Sequence, residues 1–285
     1  MSGGEAAARY SNVRPGRPDI AVPDLPADIT WVGDPPRSMA QMTAGGPALV
    51  HIFDFAQLNS VRAMPYLREW HRRYSGAGLS VIGVQAPRFP FGAEPDAVGA
   101  GLRRLEVSYP VAIDAEREIW FDYGCEGWPS LFLWGRGGVL RWYHFGEGDY
   151  AATEEAIQEE LREIDALREL PALMDPVRAS DAADAAVMPP TPELFPAGEG
   201  RPLALGEGSD GLELQYEAGG AYATIEGKGE IAPEVDGKPV DRVRIEGAAL
   251  YELALHRRHE SHKLRIDRVS GELRIWTVSF AAGVP

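Results

Sequence analysis

Apolar and polar positions alternate in two different rhythms along this chain. Up to about residue 170, compact apolar runs trade places with stretches of helical spacing. Beyond about residue 200 only short runs remain, separated by Gly, Asp and Lys. The run from Ala48 to Phe55 predicts a buried central strand, and Leu79 to Val84 a second strand parallel to it. Between them, Val61, Met64, Leu67 and Trp70 share a face with charges opposite, which predicts a helix from Asn59 to about Ser75. Asn59 or Ser60 would cap it, Pro65 interrupts its bonding, and Gly76 and Gly78 end it.

The first half continues in the same way. A short edge strand is expected over Ile29–Val32 and a helical turn over Arg37–Thr43. A helix is expected over Asp96–Glu106, a strand over Tyr109–Ile113, and a helical turn over Glu116–Tyr123. Leu131–Trp134 reads as a strand, Arg136-Gly137-Gly138 as a hairpin turn, and Leu140–Phe145 as an edge strand. The acidic stretch Tyr150–Leu167 reads as a helix turning Ala156, Ile157, Leu161, Ile164 and Leu167 inward. Six prolines between 171 and 200 mark a linker. After it come alternating runs over 212–216, 221–225, 240–245, 250–255, 263–266 and 273–280, a pattern that predicts an antiparallel sandwich.

Strand, tight turn and proline-bearing helix resemble the active-site layout of thioredoxin-like domains of the TlpA and DipZ type. The Gly127-Trp128-Pro129-Ser130 stretch and the VDGKPV and Trp276–Phe280 stretches extend the resemblance to the C-terminus. The resemblance implies an α/β thioredoxin-like fold followed by an all-β, jelly-roll-like sandwich classed with carbohydrate-binding modules. It divides the chain into an irregular lead (1–28), a thioredoxin-like domain (29–170), a linker (171–200) and the sandwich (201–285). It also implies a cis proline at Pro129, facing the active-site turn. In the family that turn reads C-x-x-C. Aligning on Pro65 places Gln57-Leu58-Asn59-Ser60 there, an amide and a hydroxyl where the two sulfurs belong. Neither can exchange disulfides. The resemblance also places His144 and Glu147, in a HFGEG stretch, near a possible pocket; a structured strand-to-helix turn is the favoured reading of both.

Composition narrows the function classes. The net charge is −15, from 28 basic and 43 acidic residues, which argues against nucleic acid or an anionic membrane surface as the main partner. No apolar run has the length of a membrane span or a secretory leader, so a cytoplasmic location is expected. The single cysteine, Cys125, excludes an intrachain disulfide. Core packing is its expected role, with a reactive thiol as the alternative. His51, upstream on the central strand, is expected to be packed and Ser60 to be a turn residue without catalytic duty. His256, His259 and His262 form H-x-x-H-x-x-H, which along a strand scatters the rings, so a polar turn is expected and no metal.

The reading at this level is a thioredoxin-like protein without its dithiol, acting as a binding module and needing no cofactor. An extended peptide in the groove of Gln57, Trp128 and Pro129, or a glycan or small ligand on the sandwich, is the expected partner. The alternative is a thiol-disulfide or peroxide oxidoreductase using Cys125 with an external thiol.

Overall fold

The computed structural model describes residues 20–35, 38–206 and 211–285. The chain divides into two compact units. One holds the residues up to Asp54 together with Arg62–Asp175; the other holds Phe55–Val61 and Pro176–Pro285. The segment expected to be a linker is therefore shared, its first five residues with the former and the rest with the latter.

The first unit contains β1 (Thr30–Val32), α1 (Met39–Gly45), β2 (Ala48–Phe53), most of α2 (Leu58–Tyr74), β3 (Ser80–Gln85), α3 (Pro95–Arg104), β4 (Val111–Ile113), α4 (Glu118–Asp122), β5 (Ser130–Trp134), β6 (Leu140–Phe145) and α5 (Tyr150–Ile164). The strands form one sheet in the order β1-β4-β3-β2-β5-β6. β2 lies parallel to β3, which lies parallel to β4, whereas β5, β6 and β1 join antiparallel. All six residues of β2 are buried, as a strand covered on both faces requires. Gly83 lets this sheet close up, since a Cβ there would press on Val111 and Phe53.

Most of the expected elements stand where the periodicity put them. Arg37, expected to begin a helical turn, and residues 1–19 of the irregular lead lie outside the described residues. α5 stops at Ile164, so Leu167, expected to face the sheet, is instead 93% exposed. A helix ending one turn early removes the periodicity that would have turned Leu167 inward. A polar knot fastens the chain beyond that helix. Buried Glu154 accepts from the Tyr74 hydroxyl at 2.6 Å and from the Met174 N–H at 2.8 Å, while Gln158 Nε2 donates to the Pro171 carbonyl.

The second unit is all-β, with β7 (Leu203–Leu205), β8 (Gly211–Val235), β9 (Lys238–Pro239), β10 (Val243–Ile245) and β11 (Ala249–Ala281) in one antiparallel sheet. The short runs read from the sequence are present, but bulges rather than turns separate most of them. β8 and β11 are 25 and 33 residues long, and their register shifts between Leu255 and Glu260, Arg268 and Ser270, and Ile275 and Thr277. The bends let one strand pair on both sides: Leu264 lies opposite both Leu214 and Val235. The sheet thereby curls around one core that includes Ile225, Tyr251, Ile266, Ile275 and Phe280. Three glycines permit the tight crossing of the long strands. A Cβ on Gly227, Gly229 or Gly271 would overlap the facing carbonyl of Glu272, Ser270 or Lys228 respectively. Among the described residues, no helix is long and apolar enough to cross a membrane.

Candidate functional site

The turn over Gln57–Ser60 opens α2 one residue earlier than the sequence suggests, with Gln57 rather than Asn59 or Ser60 in the capping position. Its side-chain Oε1 accepts the Ser60 backbone N–H at 2.8 Å, and its carbonyl accepts the Val61 N–H at 3.0 Å. Gln is an uncommon cap, but the Gln57 oxygen satisfies one of the four N–H groups that a helix start leaves open. The turn is sealed. Ser60 is 0% exposed and Leu58 3%, and Phe55 and Ala56 are buried as well.

The partners of the turn come from the β unit that Phe55–Val61 belongs to. Thr224 Oγ1 donates to the Ala56 carbonyl at 2.7 Å, and Leu58 and Val61 pack with Tyr222, Leu250 and Ala281. Sequence reasoning missed Thr224, Tyr222 and Leu250, which lie in alternating strand patterns that carry no sign of what they touch.

The peptide bond between Trp128 and Pro129 is cis. Trp128 is fixed by its Nε1–H, which donates to the Ala86 carbonyl at 2.9 Å, and by stacking on Trp120 with centroids 4.0 Å apart. The Arg88 guanidinium stands 5.8 Å from its ring centroid. The Pro129 carbonyl accepts the Gly146 N–H at 2.7 Å.

Cys125 is half-buried, at the margin of the core cluster that includes Trp120 and Phe132. Burial pushes its thiol up to about 12; the Asp114 carboxylate adds to the shift, and a hydrogen bond with Ser130 offsets part of it. A nucleophilic thiol needs the opposite surroundings. His51, wholly buried, stacks on Phe53 and meets the Tyr109 hydroxyl at 3.3 Å. Burial lowers its pKa to about 3, so the ring is neutral.

His144 and Glu147 stay close to one another. Glu147 Oε2 accepts from Arg62 Nε at 2.7 Å, and the rim of the loop is tied by His144, 3.3 Å from the Glu147 carbonyl and 3.5 Å from Asp149. Both side chains thus brace the turn between β6 and α5, with Arg62 as a partner the sequence did not reveal.

The three histidines of the second unit depart from the expected scatter. His256 and His262 stack with ring centroids 3.8 Å apart, because the bulge between Leu255 and Glu260 takes up five steps of β11 against two of β8 and draws the two positions together. His259 lies apart and buried, 3.8 Å from Glu217. Among the described residues no group of three or more His, Cys, Asp or Glu side chains is arranged to hold a metal ion.

No family model matches the chain. Over 162 residues it is 31% identical to Protein DipZ of Mycobacterium tuberculosis and of Mycobacterium bovis, a stretch that is 55% of this chain and 23% of those proteins. Over 145 residues it is 21% identical to the thiol-disulfide oxidoreductase YkuV of Bacillus subtilis, covering 50% of this chain and 96% of that one. The first half of the chain is a thioredoxin-like domain of the DipZ and TlpA type. A solved thiol-disulfide isomerase from Corynebacterium glutamicum is 25% identical, covers 49% of this chain and 96% of its own, and superposes with a TM-score of 0.43. The chain spans about a quarter of the length of the DipZ proteins it matches, 23%. Within the thioredoxin-like domain, the cis proline follows Trp128, and the turn before α2 carries no sulfur.

Proposed function

We propose that this chain is a binding protein built on a thioredoxin-like domain that has given up thiol-disulfide exchange. The observation that carries the reading is the state of the turn over Gln57–Ser60. It has no thiol, its amide oxygen is engaged by the Ser60 N–H, its Ala56 carbonyl by Thr224, and its Leu58 by Tyr222 and Leu250. Disulfide exchange needs an exposed thiolate at a helix N-terminus, and this helix starts with an amide and no thiol, its Leu58 and Ser60 buried. The turn anchors structure in place of chemistry. Cys125 does not restore the chemistry, since burial holds its thiol far above neutral pH.

Recognition in this reading falls to the Trp128–Pro129 loop or to the β unit. An extended peptide laid along the Trp128–Pro129 loop would pair through its backbone and lie against the Trp128 ring that Trp120 and Arg88 hold in place. A glycan or small ligand on the β unit is the second class to assay. The deciding measurement is insulin reduction by the full chain with dithiothreitol, beside the Cys125→Ser variant. A rate equal to the uncatalysed rate for both is expected. Turnover that disappears in Cys125→Ser would overturn the proposal in favour of a one-cysteine oxidoreductase. Calorimetry of the full chain with unstructured peptides and with a glycan panel then separates the two ligand classes.

A further inference from the structure

We infer that the stacked His256–His262 pair is an acid-operated latch on the seam between β8 and β11. The two rings lie 3.8 Å apart at 20° and are closed at both ends. His262 Nδ1 is 2.8 Å from Asp236 Oδ2, and His256 Nε2 is 2.7 Å from the Tyr216 hydroxyl. Tyr216 is the cross-strand partner of His262, and its ring stacks on Phe280 of the core. Asp236 sits with positive φ in the Asp236-Gly237 turn and also accepts the Lys263 N–H. The cluster thus ties three pieces together: the first half of β8, the turn that ends it, and the bulged stretch of β11.

The hydrogen bonds fix where protons sit. A carboxylate only accepts, so His262 carries its proton on Nδ1 and donates it to Asp236. Neutral His256 accepts the Tyr216 O–H at Nε2. One positive charge on the pair has the Asp236 carboxylate against it. A second, on His256, sets two cations face to face and reverses the bond with the Tyr216 hydroxyl, whose oxygen then accepts from Nε2–H. Asp236 is the one carboxylate hydrogen-bonded to the pair. Glu260 lies beside it on β11, and His256 also borders a cavity of about 570 Å³ whose charged lining is Glu252, Asp236, Asp241, Lys238 and Arg242. Those lining charges are mixed in sign, three acidic and two basic, and none but Asp236 is hydrogen-bonded to the pair among the described residues. The closed seam therefore holds one proton on the pair, and the rings part when they take two. Burial, first, and the neighbouring His262 push the His256 pKa down, against smaller upward pushes from Asp236 and Glu260.

Hydrogen exchange followed by mass spectrometry on the full chain tests the latch. After correction for intrinsic rates, residues 212–218 and 256–264 are expected to exchange about tenfold faster at pH 5 than at pH 7.5, with residues 272–281 as the internal reference. In His256→Gln the amide oxygen still accepts from Tyr216 but takes no proton, and the pH step is expected to vanish. Equal protection at both pH values in the wild type, or a step that survives in His256→Gln, would overturn the latch. Should that variant not fold, histidine NMR titration of the wild type decides. Two coupled steps support the latch, and two independent titrations at the ordinary histidine value refute it.

Discussion

The Ser60 backbone N–H donates to the Gln57 side-chain oxygen at 2.8 Å, which closes the first turn of α2. Gln57→Ala removes this cap and leaves a buried N–H without its partner. The expected cost is about 1 kcal/mol, read as a lower urea midpoint with an unchanged slope. Gln57→Asn supplies a side chain of the preferred capping type and is expected to keep the wild-type midpoint or raise it.

Acid is expected to weaken the first unit through His51. The folded state holds its pKa at about 3, whereas the unfolded chain titrates near the ordinary 6.5. Above pH 6.5 both states are neutral and stability is flat. As pH falls below 6.5 the unfolded state takes a proton that the folded state refuses, and stability declines down to about pH 3. At pH 5 the decline attributable to His51 is about 2 kcal/mol. Comparing urea midpoints of wild type and His51→Asn at pH 7 and pH 5 checks it: the acid decline is expected to be smaller in the variant.

Cys125 is expected to react slowly with iodoacetamide at pH 8, at a small fraction of the rate of a free thiol, because burial keeps it protonated. Denaturant is expected to bring the rate to that of a model thiol. Fast labelling of native protein would show that the Cys125 environment differs from the one described.

At the strand crossing, Gly271 has a φ of +79°, and a side chain there would meet the Lys228 carbonyl. Both problems act together in Gly271→Ala, whose expected cost is above about 3 kcal/mol. Gly137, with a φ of +84° and open space around it, bears only the conformational strain. Gly137→Ala is expected to cost about 1 kcal/mol. Thermal unfolding of the two variants reads the difference.

Removing the Glu154 carboxylate takes away the acceptor of the Tyr74 O–H and of the Met174 N–H, while the Tyr74 oxygen keeps the Gln158 Nε2 donor. Glu154→Ala is expected to destabilise by about 2–4 kcal/mol and to speed proteolysis between residues 168 and 176.

The thioredoxin-like half was legible because each of its elements is specified locally. β2 is an unbroken apolar run, α2 shows helical spacing, and Gly-Trp-Pro-Ser precedes a strand. The β unit was legible only in fragments. Its short runs are true strand segments, but a bulge leaves no residue signature comparable to a turn, so two bent strands read as five straight ones. The same limit hid the histidine stack: a straight strand puts 256 and 262 on one face but about 20 Å apart, and the bulge after Leu255 brings them together. The cap was misplaced because Gln is a rare capping residue, while Asn59 and Ser60 have the preferred chemistry. Arg62 with Glu147, and Thr224 with Ala56, join positions 85 and 168 residues apart, separations that no local pattern encodes.

The chain leaves the first unit at Asp54, contributes seven residues to the second, and re-enters at Arg62, long before its final exit at Asp175. The boundary is thus crossed three times. A single cut near residue 175 yields two pieces, each missing something: the C-terminal piece lacks its Phe55–Val61 insert, and the N-terminal piece keeps Leu58 without the apolar residues it packs on. Halves expressed separately are expected to be insoluble or to recombine, and functional dissection of this protein calls for point variants in the intact polypeptide.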